Sequence, residues 1–240
     1  MTATDADGHA SAGIRRVLLR VDVLLFVTCA LLFSAWPGLD LATARAFFEP
    51  GDGFPLGDTI YIQFLYETFQ YGGWIVLLGA LGGWIAGRLG KTRRPEVTRR
   101  ACVYLLLVGI LGPMLLVNGV LKEHWGRARP HQVTQFGGER TFSPALVPTD
   151  QCDSNCSFVS GHAAAGFYFM ALAWAFRRRG WLYGGIGLGA LSGFARIAEG
   201  DHFLSDVVFS GWSVYATCLL VAWLLYRDIR VDRPDPGHPD

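Results

Sequence analysis

The sequence predicts an all-α, polytopic membrane protein with six transmembrane helices and both termini on the cytoplasmic side. Three observations predict it. Of 240 residues, 51% are hydrophobic and 17% charged, against roughly 25% charged in an average soluble domain. Six long windows contain no Asp, Glu, Lys or Arg. The cations outside those windows alternate between crowded and sparse connecting segments. Such a chain buries too much apolar surface to be disordered. Its formal net charge of +1 gives no overall basic excess for a nucleic-acid backbone.

The first window, Val23 to Leu39, has 17 residues. A helix over 17–39 spans a bilayer core, which needs about 20 residues, if Arg20 and Asp22 lie at the interface. Arg15 and Arg16 before an apolar run, with small residues from Ala42 to Ala46, also resemble a signal peptide. A retained helix is expected, and cleavage would leave the sidedness of the rest unchanged. Thr68 to Gly87 gives a second helix over 68–87. Before it, Leu56 to Gln70 carries Ile60, Phe64, Tyr61 and Leu65 and is expected to lie in the outer interface. Ala101 to Leu121 gives a third helix over 101–122, followed by a long outer loop over 123–157. Ser154 to Phe176 gives a fourth helix over 158–176. Gly180 to Ala195 becomes long enough as a fifth helix over 180–198, and Val207 to Tyr226 gives a sixth over 203–226. Gly185, Gly189 and Gly193 form a smooth ridge on the fifth helix, and Gly79 and Gly83 another on the second, both suited to close helix packing. Six such helices in one domain over 1–240 leave too little amphipathic sequence to coat a soluble core. Residues 1–14 and the Pro- and Asp-rich 231–240 are expected to be disordered.

Orientation follows from the basic residues, which cytoplasmic loops retain. Four clusters fall on one side of a six-helix weave: Arg15 to Arg20, Arg88 to Arg100, Arg177 to Arg179, and Arg227 to Arg233. That side holds 15 cations and 8 acids, the other 6 cations and 12 acids. The near-neutral chain is therefore a basic cytoplasmic face and an acidic outer one. Cys29, Cys102 and Cys218 fall within helices as small apolar groups. Cys152 and Cys156 lie in the outer loop; they form a disulfide if a turn brings their α-carbons to roughly 4.4–6.8 Å, and stay as thiols otherwise.

On the acidic face, three of the six cations are Lys122, Arg129 and Arg196, all at predicted helix ends and at one membrane depth. With them come Ser160-Gly161-His162 at the start of the fourth helix, and His202 and Asp206 at the start of the sixth. Three cations with backbone N–H groups at a helix N-terminus suit a dianion such as phosphate. His202 and Asp206 are four apart and share a helical face. A carboxylate accepting from one imidazole nitrogen leaves the other free to attack phosphorus, and His162 is placed to protonate the departing alkoxide. Three cations already neutralise the phosphoryl oxygens, so no metal ion or other cofactor is expected. Singly, each piece has a plainer role: Lys122 and Arg196 as snorkelling interfacial residues, Ser160 as a helix N-cap, His202 with Asp206 as a surface pair. Their coincidence on the cation-poor side favours a site.

These three segments resemble the three signatures of the type 2 phosphatidic acid phosphatase (lipid phosphate phosphatase) superfamily. Lys, six residues and Arg-Pro is matched by Lys122, Arg129 and Pro130. Pro-Ser-Gly-His is matched by Ser160, Gly161 and His162, with Val159 for Pro. Ser-Arg, five residues, His, three residues and Asp is matched by Arg196, His202 and Asp206, with Ala195 for Ser. The resemblance covers Lys122 to Asp206 and implies a six-helix membrane fold and a phosphohistidine mechanism. Val159 alters how the chain enters its helix, whereas Ala195 removes a hydroxyl from the phosphate site. The loop from His131 to Phe158, with Cys156-Ser-Phe-Val-Ser-Gly-His162, is similar to that of lipid A phosphatases of the 4′ type. It implies a lipid A substrate at the outer leaflet of a bacterial inner membrane, with the active site facing the periplasm. Undecaprenyl pyrophosphate and phosphatidylglycerol phosphate phosphatases share the same signatures. A transporter or channel would instead distribute its charges through the bilayer depth, and a silent lipid-binding relative would have lost one of His162, His202 or Asp206.

Overall fold

A computed structural model describes residues 20–232. The expected disorder of 1–14 and 233–240, and Arg15, Arg16 and Arg233, lie outside the described residues. Val231 and Asp232, expected in the disordered tail, form a turn in which Asp232 pairs with Arg179. The architecture is all-helical: α1 (Val21–Ala35), α2 (Gly38–Arg45), α3 (Ile60–Arg88), α4 (Pro95–His124), α5 (consecutive segments Gly161–Phe167, Tyr168–Met170 and Ala171–Phe176), α6 (Arg179–Ala198) and α7 (Leu204–Tyr226). Among the described residues the extended pairings are isolated bridges, between Glu49 and Gly53 and between Val133 and Arg140.

Three helices, α3, α4 and α7, are long and apolar enough to cross a membrane, and a fourth span results if α1 and α2 count as one. This is fewer than the six expected. α5 is divided into short segments, and six of the 20 residues of α6 are glycine. The first expected helix also departs from a straight rod over 17–39: α1 and α2 meet at 83°. Pro37 lacks the N–H that would continue the ladder and disfavours helical backbone at Trp36, whose φ is −132°. The turn lays α2 across the end of the bundle and buries Asp40.

The segment Leu56 to Gln70 corrects a second expectation. Pro55–Asp58 is a short 3₁₀ turn, and α3 then runs unbroken from Ile60, because no Pro or Gly interrupts 60–71. Its 29 residues are about 43 Å long, beyond the roughly 30 Å of a bilayer core. The overhanging first turns bring Tyr66 to the site described below. In α4, Pro113 offers no N–H to its preceding turn. Ile110–Leu121 adopts wider π-type turns around it, and the Asn118 side chain donates to the Pro113 carbonyl at 2.7 Å.

α5 lies at the centre, against α3, α4, α6 and α7, with Ala163, Ala164, Phe167, Tyr168, Ala171 and Trp174 buried. The glycine ridge of α6 makes this packing possible, since a Cβ at Gly189 would run into the Phe167 ring. On α3, Gly83 packs on Cys102 while Gly79 faces open space, so that ridge packs at one of its two glycines. Leu25, Trp74, Ile75, Leu78, Leu115 and Leu220 are all exposed on the outside of the bundle. A surface this apolar is matched to lipid.

Candidate active site

Backbone bonds across the 123–157 loop bring the three motif segments together. Cys156 N donates to the Lys122 carbonyl at 3.0 Å and Ser157 N to the Arg127 carbonyl at 2.8 Å. Ser160 N donates to the Asp206 carbonyl at 3.2 Å, and His131 N to that of Gly200 at 3.0 Å. Cys152 and Cys156 are joined in a disulfide with α-carbons 5.6 Å apart. It closes the turn in which the Asn155 carbonyl accepts from Arg129 Nη2 at 2.9 Å.

Ser160 caps α5, its Oγ accepting from Ala163 N at 3.3 Å, and satisfies one N–H that the helix start leaves orphaned. Gly161 follows because a Cβ there would stand 2.5 Å from Asn118 Oδ1. His162, on the next residue, stacks on Tyr66 of α3 with ring centroids 4.3 Å apart. The Arg196 guanidinium lies over the same Tyr66 ring at 4.8 Å.

His202 is fully buried. Its Nδ1 is 2.8 Å from the Ser157 carbonyl, so the proton resides there and Nε2 carries the lone pair. Nε2 is buried without a hydrogen-bond partner among the described residues. Asp206 was expected to take the Nδ1 proton itself; its Oδ2 lies 3.6 Å away, an ion-pair separation too long for a hydrogen bond. Asp206 instead organises the turn, accepting from Ser157 Oγ at 2.5 Å, Phe203 N at 2.8 Å and Arg127 Nη1 at 2.5 Å. Burial pushes the His202 imidazole down to about 4, against the opposing pull of Asp206.

The expected cations converge. Lys122 and Arg196 are buried and Arg129 is half-buried; both arginines lie close enough to act electrostatically on Lys122 and on Asp201. Asp201 Oδ2 accepts from Arg129 Nη1 at 2.9 Å and from Arg196 Nη2, while Arg196 Nη1 pairs with Glu199. Burial works against the charge on Asp201, but His131, Arg196 and Arg129 together draw it well below the usual carboxylate range. For Glu199 burial prevails over Arg196 and raises its pKa.

Four further side chains contribute that the sequence motifs do not include. Arg127 is fully buried, paired with Asp206 and, at 2.8 Å, with Asp40. Asp40 also accepts from Ser205 N and Oγ. Tyr66 and Asp201 complete the set. Arg127 sits between Lys122 and Arg129 and had a signal in its position; Asp40 and Tyr66 are distant in sequence and had none. Among the described residues, no group of three or more His, Cys, Asp and Glu side chains is disposed to hold a metal ion.

A buried imidazole with a free Nε2 beside three cations and a helix N-terminus can form a bond to an electrophilic phosphorus. Residues 99–230 match the family model described as PAP2 superfamily. A lipid A 4′-phosphatase of Francisella tularensis subsp. novicida is 34% identical over 210 residues, covering 82% of this chain and 90% of that protein. Lipid A 4′-phosphatases of Rhizobium leguminosarum and Rhizobium etli are 34% and 36% identical, covering 79% of this chain and 89% and 81% of theirs. No solved structure matches the chain significantly. The chain belongs to the PAP2 superfamily and is a phosphatase of that family, a phosphoric monoester hydrolase.

Proposed function

We propose that the protein removes the 4′-phosphate of lipid A at the outer face of a bacterial inner membrane, through a phosphohistidine intermediate and without a metal ion. The observation that carries the mechanism is the His202 imidazole: its Nδ1 is bonded to the Ser157 carbonyl at 2.8 Å and its Nε2 is left unpartnered. Lys122, Arg129 and Arg196 hold the phosphoryl oxygens together with N–H groups at the start of α5, where Ser160 caps the helix and Gly161 fits against Asn118. Nε2 forms the bond to phosphorus as the P–O bond to the sugar breaks, and protonated His162 gives its proton to the leaving oxygen. Neutral His162 then takes a proton from water, whose oxygen attacks phosphorus and frees His202 and inorganic phosphate. Asp206 acts as the charge that favours a cationic imidazole between these steps.

Substrate choice rests on the three relatives, each named lipid A 4′-phosphatase. It is favoured over undecaprenyl pyrophosphate and phosphatidylglycerol phosphate, which the same motifs would serve. Six spans, cytoplasmic termini and a periplasmic site are the arrangement that places the arginine-rich connections, 88–100 and 177–179, on the cytoplasmic side. The test is phosphate release from a panel of these lipids by purified protein in detergent with EDTA. Lipid A is expected to react fastest, EDTA to have no effect, and His202→Ala to be inactive. Full activity of His202→Ala, or a loss in EDTA that an added metal restores, would overturn the mechanism.

A further inference from the structure

Three converging cations would hold a phosphate dianion well, and would hold the product as well as the substrate. Binding both equally speeds nothing, and slow release of product limits many enzymes. Asp201 bears on this difficulty. It lies on the five-residue connection between α6 and α7 and is neither a motif residue nor a helix cap. Its Oδ2 stands between the two guanidiniums, accepting from Arg129 Nη1 at 2.9 Å and from Arg196 Nη2. A phosphoryl oxygen held by both arginines would take the same donors.

A second partner is available to the carboxylate. Asp201 Oδ1 lies 3.2 Å from His131 Nδ1, and that ring, also 3.0 Å from the Gly200 carbonyl, is 44% exposed at the rim. The Asp201 side chain is itself 20% exposed. It can therefore turn away from the arginines toward water without becoming a stranded buried charge. Gly200, at φ +72°, sets the backbone turn just before it. Glu199 occupies the other arm of Arg196, so Asp201 is the carboxylate shared by both arginines.

We infer that Asp201 is the resident counter-anion of the phosphate site: the substrate phosphate displaces it from Arg129 and Arg196, and its return displaces inorganic phosphate. The inference rests on the proposed role of those cations. The exchange is purely ionic and breaks no covalent bond. It makes Asp201 a determinant of which anions stay bound, since a ligand must outcompete a carboxylate already in place. A phosphate anchored by a lipid does so with the help of its tail, and free phosphate does not. Removing the charge should thus tighten binding of the free anion, the opposite of what loss of a merely structural residue does.

The experiment is calorimetric titration of inorganic phosphate and of orthovanadate into the full chain in detergent micelles, for wild type, Asp201→Asn, Asp201→Ala and Arg196→Ala. Asp201→Asn and Asp201→Ala are expected to bind both anions about tenfold more tightly than wild type. Their turnover should be lower, with stronger inhibition by added phosphate. Wild-type binding that is lost in Arg196→Ala, yet unchanged or weakened in both Asp201 variants, overturns the counter-anion role and leaves the phosphate site standing. Absence of binding in wild type and in both Asp201 variants removes the phosphate site and the inference with it.

Discussion

Arg127 and Asp206 form an ion pair of 2.5 Å in which neither side chain is exposed. The other arm of the guanidinium reaches Asp40 at 2.8 Å, and the Phe203 ring lies 4.4 Å beneath it. Two carboxylates against one guanidinium leave this cluster with an excess negative charge next to His202. That charge favours an imidazole that becomes cationic when phosphorylated. Asp40 arrives there because α1 and α2 are bent at Pro37, so the N-terminal helices support chemistry that the motif segments carry.

Replacing Arg127 with Met should destabilise the protein severely. Two carboxylates would remain buried without their cation, a loss of about 3–5 kcal/mol for a broken buried pair. Arg127→Lys should fall between, because an ammonium cannot place separate donors on both acids as the guanidinium fork does. Thermal unfolding in detergent reads the order wild type, Lys, Met; a melting temperature unchanged in Arg127→Met would show that the cluster bears no stability.

The two histidines should fail differently. His202→Ala should form no phosphoenzyme with any substrate. His162→Ala should lose about 10²- to 10⁴-fold in turnover of an alkyl phosphate, the usual contribution of a general acid or base, while still binding vanadate. With an aryl phosphate, whose leaving group needs no proton, His162→Ala should accumulate the phosphohistidine because water then lacks its base. Rapid-quench trapping of radiolabelled phosphate on the protein distinguishes the two variants, and equal labelling of both would contradict the assignment.

The motif residues were legible because their chemistry is local in sequence: a charge or imidazole at a helix end, with fixed spacing to the next. Lys122, Arg129, Ser160, Gly161, His162, Arg196, His202 and Asp206 are all recognisable that way, and the structure draws their segments together. Asp40 and Tyr66 were not legible. Each reads as an ordinary interfacial residue, and each reaches the site through a change in helix geometry: the break at Pro37 and the unbroken start of α3. Hydropathy windows report how long a charge-free run is and are blind to where a helix bends or overhangs. The hydrogen bond from His202 to the Ser157 carbonyl was hidden for another reason, since a backbone acceptor leaves no trace in residue identity.

Stability should fall with acidity in a window set by His202. Its folded value of about 4 lies below the roughly 6.5 of a free imidazole. Between those values the unfolded chain binds a proton that the folded one does not, so stability drops as pH falls from about 6.5 toward 4 and levels off below. The full effect is on the order of 3 kcal/mol at most. His202→Asn has no proton to gain and should lose less stability than wild type over the same range. Parallel melting-temperature curves for the two proteins from pH 7 to pH 4.5 would refute it.

Tyr66 offers a final test, because its ring serves two motif residues at once. It stacks on His162 at 4.3 Å and lies under the Arg196 guanidinium at 4.8 Å. Both contacts use the aromatic face, and the guanidinium is attracted to that face by the ring quadrupole. Tyr66→Phe should therefore retain nearly full activity. Tyr66→Leu fills similar space without the π face and should lower kcat/KM by about tenfold, in keeping with a contact of 1–2 kcal/mol in a desolvated site. If the ring only filled volume, Leu and Phe would perform alike. If the hydroxyl carried the effect, Phe would fail as badly as Leu. Steady-state kinetics of the three proteins on one lipid phosphate separate these outcomes, and a loss confined to Leu identifies the stacked ring as the feature that holds His162 and Arg196 in register.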